Sequence, residues 1–178
     1  MEVRFVPLDL AHIDVLRMEV LALPFFVDER PLKGAAGLCD WRLCGALSRL
    51  LDSGRVTGST EEVTLVPGRP RLPFEKLILF GEGAAADFDQ AASERVTARM
   101  LTTLAGLRLR SVALSLPGRG RALVEPGEAI RWFLQGIAES DELDEVVIID
   151  DLEAQRAMVP VLESARRRVR VVRSASEP

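Results

Sequence analysis

The chain has no tyrosine, a single histidine, two cysteines and only 5% aromatic residues among 178. Each scarcity closes off a class of chemistry. A Ser-His-Asp or Cys-His arrangement would have to be built on His12, which stands in a turn near the N-terminus with no distinctive neighbour and reads as a surface residue. One histidine and two cysteines do not supply the ligand spacing of a zinc site. Cys39 and Cys44 fall five residues apart on one predicted helix, their α-carbons roughly 8 to 9 Å apart, too far for a disulfide. Both are expected as free, buried thiols. The apolar runs near Leu21 and Val146 are far shorter than the ~20 residues of a membrane span, and no basic region with an apolar stretch and cleavage site opens the chain. The expectation is a cytoplasmic protein without membrane attachment. An excess of positive charge is also missing. A net charge of −4 gives no general attraction to nucleic acid or anionic lipid.

What is present is apolar mass, 48% of the residues, enough to bury a sizeable core without metals or disulfides. The expected organisation is one domain over residues 1–173 and a disordered tail over 174–178. Short aliphatic or β-branched runs alternate with segments of helical period, an α/β signature. Strands are predicted over 3–7, 15–27 with a break, 62–66, 76–80, 111–116, 145–150 and 169–173. A helix over 38–52 presents Leu43, Leu47, Leu50 and Leu51 as an apolar stripe. A second opens at Asp87, with Gln90 as the reciprocal capping partner, and buries Ala92, Val96, Met100, Leu104 and Leu107. A third begins near Pro126, tolerated in a first turn because its missing N–H would have no acceptor there, and buries Ile130, Phe133, Leu134 and Ile137. The fourth follows Asp151 with Met158, Val161, Leu162 and Ala165. Pro160 is expected to kink or divide it.

The stretch FFVDERPLKGAAGLCDWRLCGALSRLLDSGRVTG from Phe25, followed by a polar hairpin and then KLILFGEG from Lys76, resembles the N-terminal domain of the leucyl aminopeptidase family. The likeness lies in order and spacing. An apolar strand runs into a turn bearing Gly34 and Gly37, a helix carries Asp40, Leu43, Leu47 and Leu50, and an aliphatic strand ends at Gly81-Glu82-Gly83. The resemblance implies a macro-domain-like fold, a three-layer α/β/α sandwich with a mixed central sheet. It also implies that the family's two-metal centre belongs to a C-terminal domain to which this chain has no counterpart. On this reading the chain needs no cofactor and is not an enzyme. It is a binding or assembly module for a protein partner or a homo-oligomer.

The rival expectation is a small-ligand protein that keeps an ADP-ribose or nucleotide pocket. Its candidate residues come from three places. Gly118-Arg119-Gly120-Arg121 follows a predicted strand, where glycine N–H groups can face an anion and two arginines can pair with phosphate oxygens. The bland reading is an exposed basic turn. Lys33, Gly34 and Gly37 lead into the first long helix and serve either the same purpose or backbone geometry alone. Asp9 stands beside the first strand, where the resemblance places an acid that reads adenine. Against the pocket, the paired asparagines of a macro domain are replaced by Leu23-Pro24-Phe25-Phe26-Val27. Trp41 and Arg42 are types favoured at interface hot spots, although burial tendencies favour Trp41 in the core. Asp151 is expected to cap a helix and Asp150 to be solvated. The arginines at 166–168 suit a helix C-terminus.

Overall fold

The computed structural model describes residues 2–137 and 143–165, and the backbone of 170–172. The expectations for Arg166, Arg167 and Arg168 and for the tail fall outside these residues. The strands are β1 (Glu2–Pro7), β2 (Val20–Phe25), β3 (Val63–Pro67), β4 (Lys76–Gly81), β5 (Ser111–Leu114), β6 (Glu145–Asp150) and β7 (Arg170–Val172). The helices are α1 (Leu10–Ile13), α2 (Gly34–Arg42), α3 (Ala46–Asp52), α4 (Gln90–Gly106), α5 (Pro126–Ile137) and α6 (Leu152–Ser164). The strands form one sheet in the order β3-β4-β2-β5-β6-β1-β7. Only β3 runs antiparallel to its neighbour.

Strand period two divides the apolar residues between the two faces. Val3, Phe5, Val20, Ala22, Ile78, Phe80, Val146 and Ile148 point to one side, where α4, α5 and α6 supply Met100, Leu104, Ile130, Phe133 and Met158. Val6, Leu21, Leu23, Leu77, Leu79, Val147 and Ile149 point to the other, where α1, α2 and α3 supply Ile13, Cys39 and Leu47. Strands covered on both faces read as continuous apolar runs, which is why β2 and β6 stand out in the sequence. Each fully buried side chain of this kind contributes about 1.5–3 kcal/mol.

Several expectations need correction. The helix over 38–52 is two helices, broken where Cys44 (φ 55) and Gly45 (φ 75) turn left-handed. Asp40 bridges the break, its buried carboxylate accepting from Leu47 N, Ser48 N and Ser48 Oγ, so the last turn of α2 caps α3. The two free cysteines therefore differ. Cys39 is buried, its thiol pushed up to about 12 by burial with the Asp14 and Asp40 charges adding to it, whereas Cys44 is exposed. The cap of α4 is Asp89, which accepts from Ala92 N. Asp87 ends a short 3₁₀ turn, Gln90 bonds to Glu94 instead of closing a capping box, and Leu107 is exposed at the C-cap. The strand expected over 15–27 starts only at Val20, because Asp9 opens α1 and Val15 is solvent-exposed. Helix α6 runs on through Pro160 without division.

Candidate functional site

The parallel register aligns the carboxyl ends of the central strands. Pro7 stands beside Asp150 and Phe25 beside Gly81. In open α/β sheets the loops leaving this edge are the place for a ligand, and here they carry both glycine turns. The turns meet. Gly34 has φ +54, and a methyl group added there would come within 3.3 Å of Gly120 Cα. Gly118 has φ +77 and no room for a side chain, since a Cβ would lie 2.5 Å from Val124 and 2.7 Å from Phe88. Both positions require glycine on backbone grounds. Gly37 does too, because a Cβ would strike Leu32 O at 2.5 Å.

Several donors of the two turns are taken by carboxyl groups of the chain itself. Glu29, 2% exposed, accepts from Lys33 N at 2.8 Å and from Phe26 N at 3.4 Å. Glu82, 4% exposed, accepts from Gly118 N at 2.6 Å. The arginines are likewise engaged. Arg119 donates from Nε and Nη2 to Asp150 at 2.8 and 3.1 Å, and from Nη1 to Val124 O. Arg121 donates to Asp28 at 3.1 Å and lies over the Phe26 ring. Phe26 is fully buried and packs edge-to-face on Phe88 with centroids 5.0 Å apart.

Burial sets the electrostatics. Glu82 is raised to about 8, chiefly by desolvation, with the Glu29 charge adding to it and the Gly118 N–H opposing. Glu29 is also raised by desolvation, against the pull of the Lys33 and Phe26 N–H groups and of nearby Arg121 and Lys33. Glu82 Oε2 is buried with no hydrogen-bond partner among the described residues. A neutral carboxyl tolerates that position far better than a carboxylate does. Asp28, by contrast, is held below its ordinary value, first by the Ala85 N–H and also by Arg121.

The remaining candidates lie in other surroundings. Asp9 is the N-cap of α1, accepts from His12 N, and pairs with the His12 ring at 2.7 Å, so its carboxylate is engaged locally. His12 is exposed, as expected. Asp151 caps α6 through Ala154 N. Asp150 is not solvated: it is 4% exposed and locked to Arg119. Trp41 is not a core residue. It is 67% exposed, because α2 turns Ala35, Ala36, Cys39 and Asp40 inward and leaves residue 41 outside. Arg42 lies 5.4 Å from its ring centroid and is paired with Asp14. No group of three or more His, Cys, Asp or Glu among the described residues is arranged to hold a metal ion. No helix among them is long and apolar enough to cross a membrane.

Glu29, Glu82 and Asp28 escaped the sequence reading. The signal was an acid one to four residues beyond an apolar strand, in FFVDE and LILFGE, at the edge where α/β sheets gather functional groups.

Residues 22–143 match the pattern of the cytosol aminopeptidase family, N-terminal domain. The chain belongs to that family. A probable cytosol aminopeptidase of Thermosynechococcus vestitus is 30% identical over 98 residues, covering 55% of this chain and 19% of the relative. The fold superposes on a tomato leucine aminopeptidase mutant with a TM-score of 0.58 at 14% identity, over 90% of this chain and 36% of that one. It also superposes on a Trypanosoma brucei macrodomain in complex with ADP, with a TM-score of 0.68 at 15% identity, over 90% of this chain and 67% of the other. The three-layer, macrodomain-like architecture is thus established. The chain spans about a fifth of the length of the curated aminopeptidase and about a third of the tomato chain.

Proposed function

We propose that this aminopeptidase-family N-terminal domain acts without catalysis, as a cytoplasmic association module that binds a protein partner or a second copy of itself. The observation that carries this reading is the occupation of both glycine turns from within. Glu29 takes Lys33 N and Phe26 N, Glu82 takes Gly118 N, and Asp150 and Asp28 take the two arginines. A phosphate arriving at such a turn would have to displace buried carboxyl groups already hydrogen-bonded to it. The non-catalytic part of the reading is supported by the match to the N-terminal domain of the family.

The second reading, a nucleotide or ADP-ribose binder, is favoured by the meeting of the two glycine turns at the strand carboxyl ends and by the ADP complex of the Trypanosoma macrodomain. The embedded acids weigh against it.

The association reading is tested by sedimentation velocity across micromolar concentrations, together with crosslinking and affinity purification from the native cell. A concentration-dependent oligomer or a stoichiometric partner is expected. A strictly monomeric protein recovered alone would overturn the reading.

A further inference from the structure

A groove of about 670 Å³ lies between the loop that follows β2, the turn joining α2 to α3, and the connection from β3 to β4. It touches the first glycine turn only through Gly37, and none of Gly118 to Arg121 lines it. Pro31, Leu32 and Trp41 give it apolar walls, and Arg42, Arg71 and Cys44 line it as well. Its volume falls within the range of small-ligand pockets, room enough for one or two side chains of a bound peptide.

Three features define what would fit. Trp41 is exposed, yet its ring is not free to wander: the Arg42 guanidinium covers one face at 5.4 Å and is itself held by both oxygens of Asp14. A ring fixed in advance gives up little conformational freedom on binding. Arg71 is exposed, and among the described residues its guanidinium donates to the Cys44 sulfur at 2.9 Å and to no carboxylate. A thiol is a weak acceptor, so the fork that matches a carboxylate remains to be filled. Asp40 also lines the groove, but its two oxygens are used by Leu47 and Ser48 at the start of α3.

We propose that this groove is the docking site for a partner peptide in which an apolar side chain is flanked by aspartate or glutamate. The apolar side chain packs on Trp41 and Leu32, and the acid pairs with Arg71. Tryptophan and arginine are the types that carry most binding energy at such surfaces. A basic peptide would face two guanidinium groups without gain. The proposal rests on the association reading above and specifies the surface through which it acts.

Random heptapeptides displayed on phage are selected on the full chain and, in parallel, on Arg71→Glu. The enriched peptides are then synthesised and titrated into a Trp132→Phe protein, in which Trp41 is the sole emitter. Selection is expected to enrich Leu, Ile, Val or Phe beside Asp or Glu on the wild type only, and binding is expected to shift Trp41 emission to the blue. Affinity should fall at least tenfold in Arg71→Glu, less in Arg71→Lys, and be lost in Trp41→Ala. Because Trp41 and Arg71 are exposed, all three variants should unfold at the wild-type midpoint. Enrichment that is independent of Arg71, or a basic consensus, would overturn the proposal. So would self-association abolished by Trp41→Ala, which would make a second copy the occupant. Association that persists unchanged in Trp41→Ala and Arg71→Glu would remove this groove while leaving the association reading intact. A monomeric protein without a partner would instead remove the reading itself.

Discussion

Replacing Glu82 with glutamine is expected to flatten the fall of stability on going from acid to alkaline pH. The folded-state value of Glu82 is raised to about 8 from 4.5. Between those two values the native state holds a proton that the unfolded chain has released, so stability declines as pH rises. The contribution is fully present below about pH 4.5 and is lost as pH passes through 8. Each full step of one in pH across that interval removes about 1.4 kcal/mol, and with the last step incomplete the loss between pH 5 and pH 8 is roughly 3–4 kcal/mol. Glutamine keeps an acceptor for Gly118 N and cannot ionise. It also places an amide where Oε2 has no partner, a cost of about 1–3 kcal/mol at every pH. The variant should therefore be no more stable than wild type at pH 5 and gain on it steadily towards pH 9. Urea unfolding midpoints at four pH values measure the slope. Parallel curves for the two proteins would show that Glu82 titrates normally.

Breaking the Arg119–Asp150 pair should cost more at neutral pH than any other single change around the turns. Both side chains are under a tenth exposed, at 8% and 5%, and meet through two nitrogens. Removing one partner of a buried pair leaves the other uncompensated, worth about 3–5 kcal/mol. Arg119→Ala also deprives Val124 O of its donor and frees the Gly118 turn from the end of β6. Replacing both partners with apolar residues of similar size, Arg119→Met with Asp150→Leu, should recover most of the loss, because no charge is then left buried. Chemical denaturation of the single and double variants at pH 7 decides the matter. A loss under about 1 kcal/mol for Arg119→Ala would mean that the pair is solvated in solution like an ordinary surface bridge.

The sheet was legible in the sequence because fully buried parallel strands appear as unbroken aliphatic runs. The reading of 145–150 coincides with β6, and that of 76–80 falls one residue short of β4. Amphipathic period likewise located α5, whose Ile130, Phe133, Leu134 and Ile137 are all buried. Period could not reveal the break between α2 and α3. Leu43 and Leu47 are both buried and spaced as on a single helix, so the left-handed pair at Cys44 and Gly45 leaves the apolar stripe outwardly intact. Trp41 was misplaced for a related reason: hydrophobicity argues for burial, but the helix phase set by Ala35, Ala36 and Cys39 turns residue 41 to solvent. The glycine turns at Gly34 and Gly118 were legible from their residue types and their position after strands. What fills them was not, because Glu29 reaches Lys33 across a loop and Glu82 reaches Gly118 across 36 residues. A local pattern shows which donors a turn offers, and only the tertiary fold decides which acceptors take them.

The most direct test of the central claim, that the turns are closed from within, is a thermal-unfolding titration with ADP-ribose up to millimolar concentration. A ligand at 100 times its dissociation constant adds about 2.7 kcal/mol, which for a domain of this size is a rise of roughly 5–10 °C in Tm. With Glu29 and Glu82 holding Lys33 N and Gly118 N and both arginines paired, no shift is expected in the wild type. A saturable rise of that size, abolished by Arg119→Ala with Arg121→Ala, would contradict the account and make this chain a nucleotide binder.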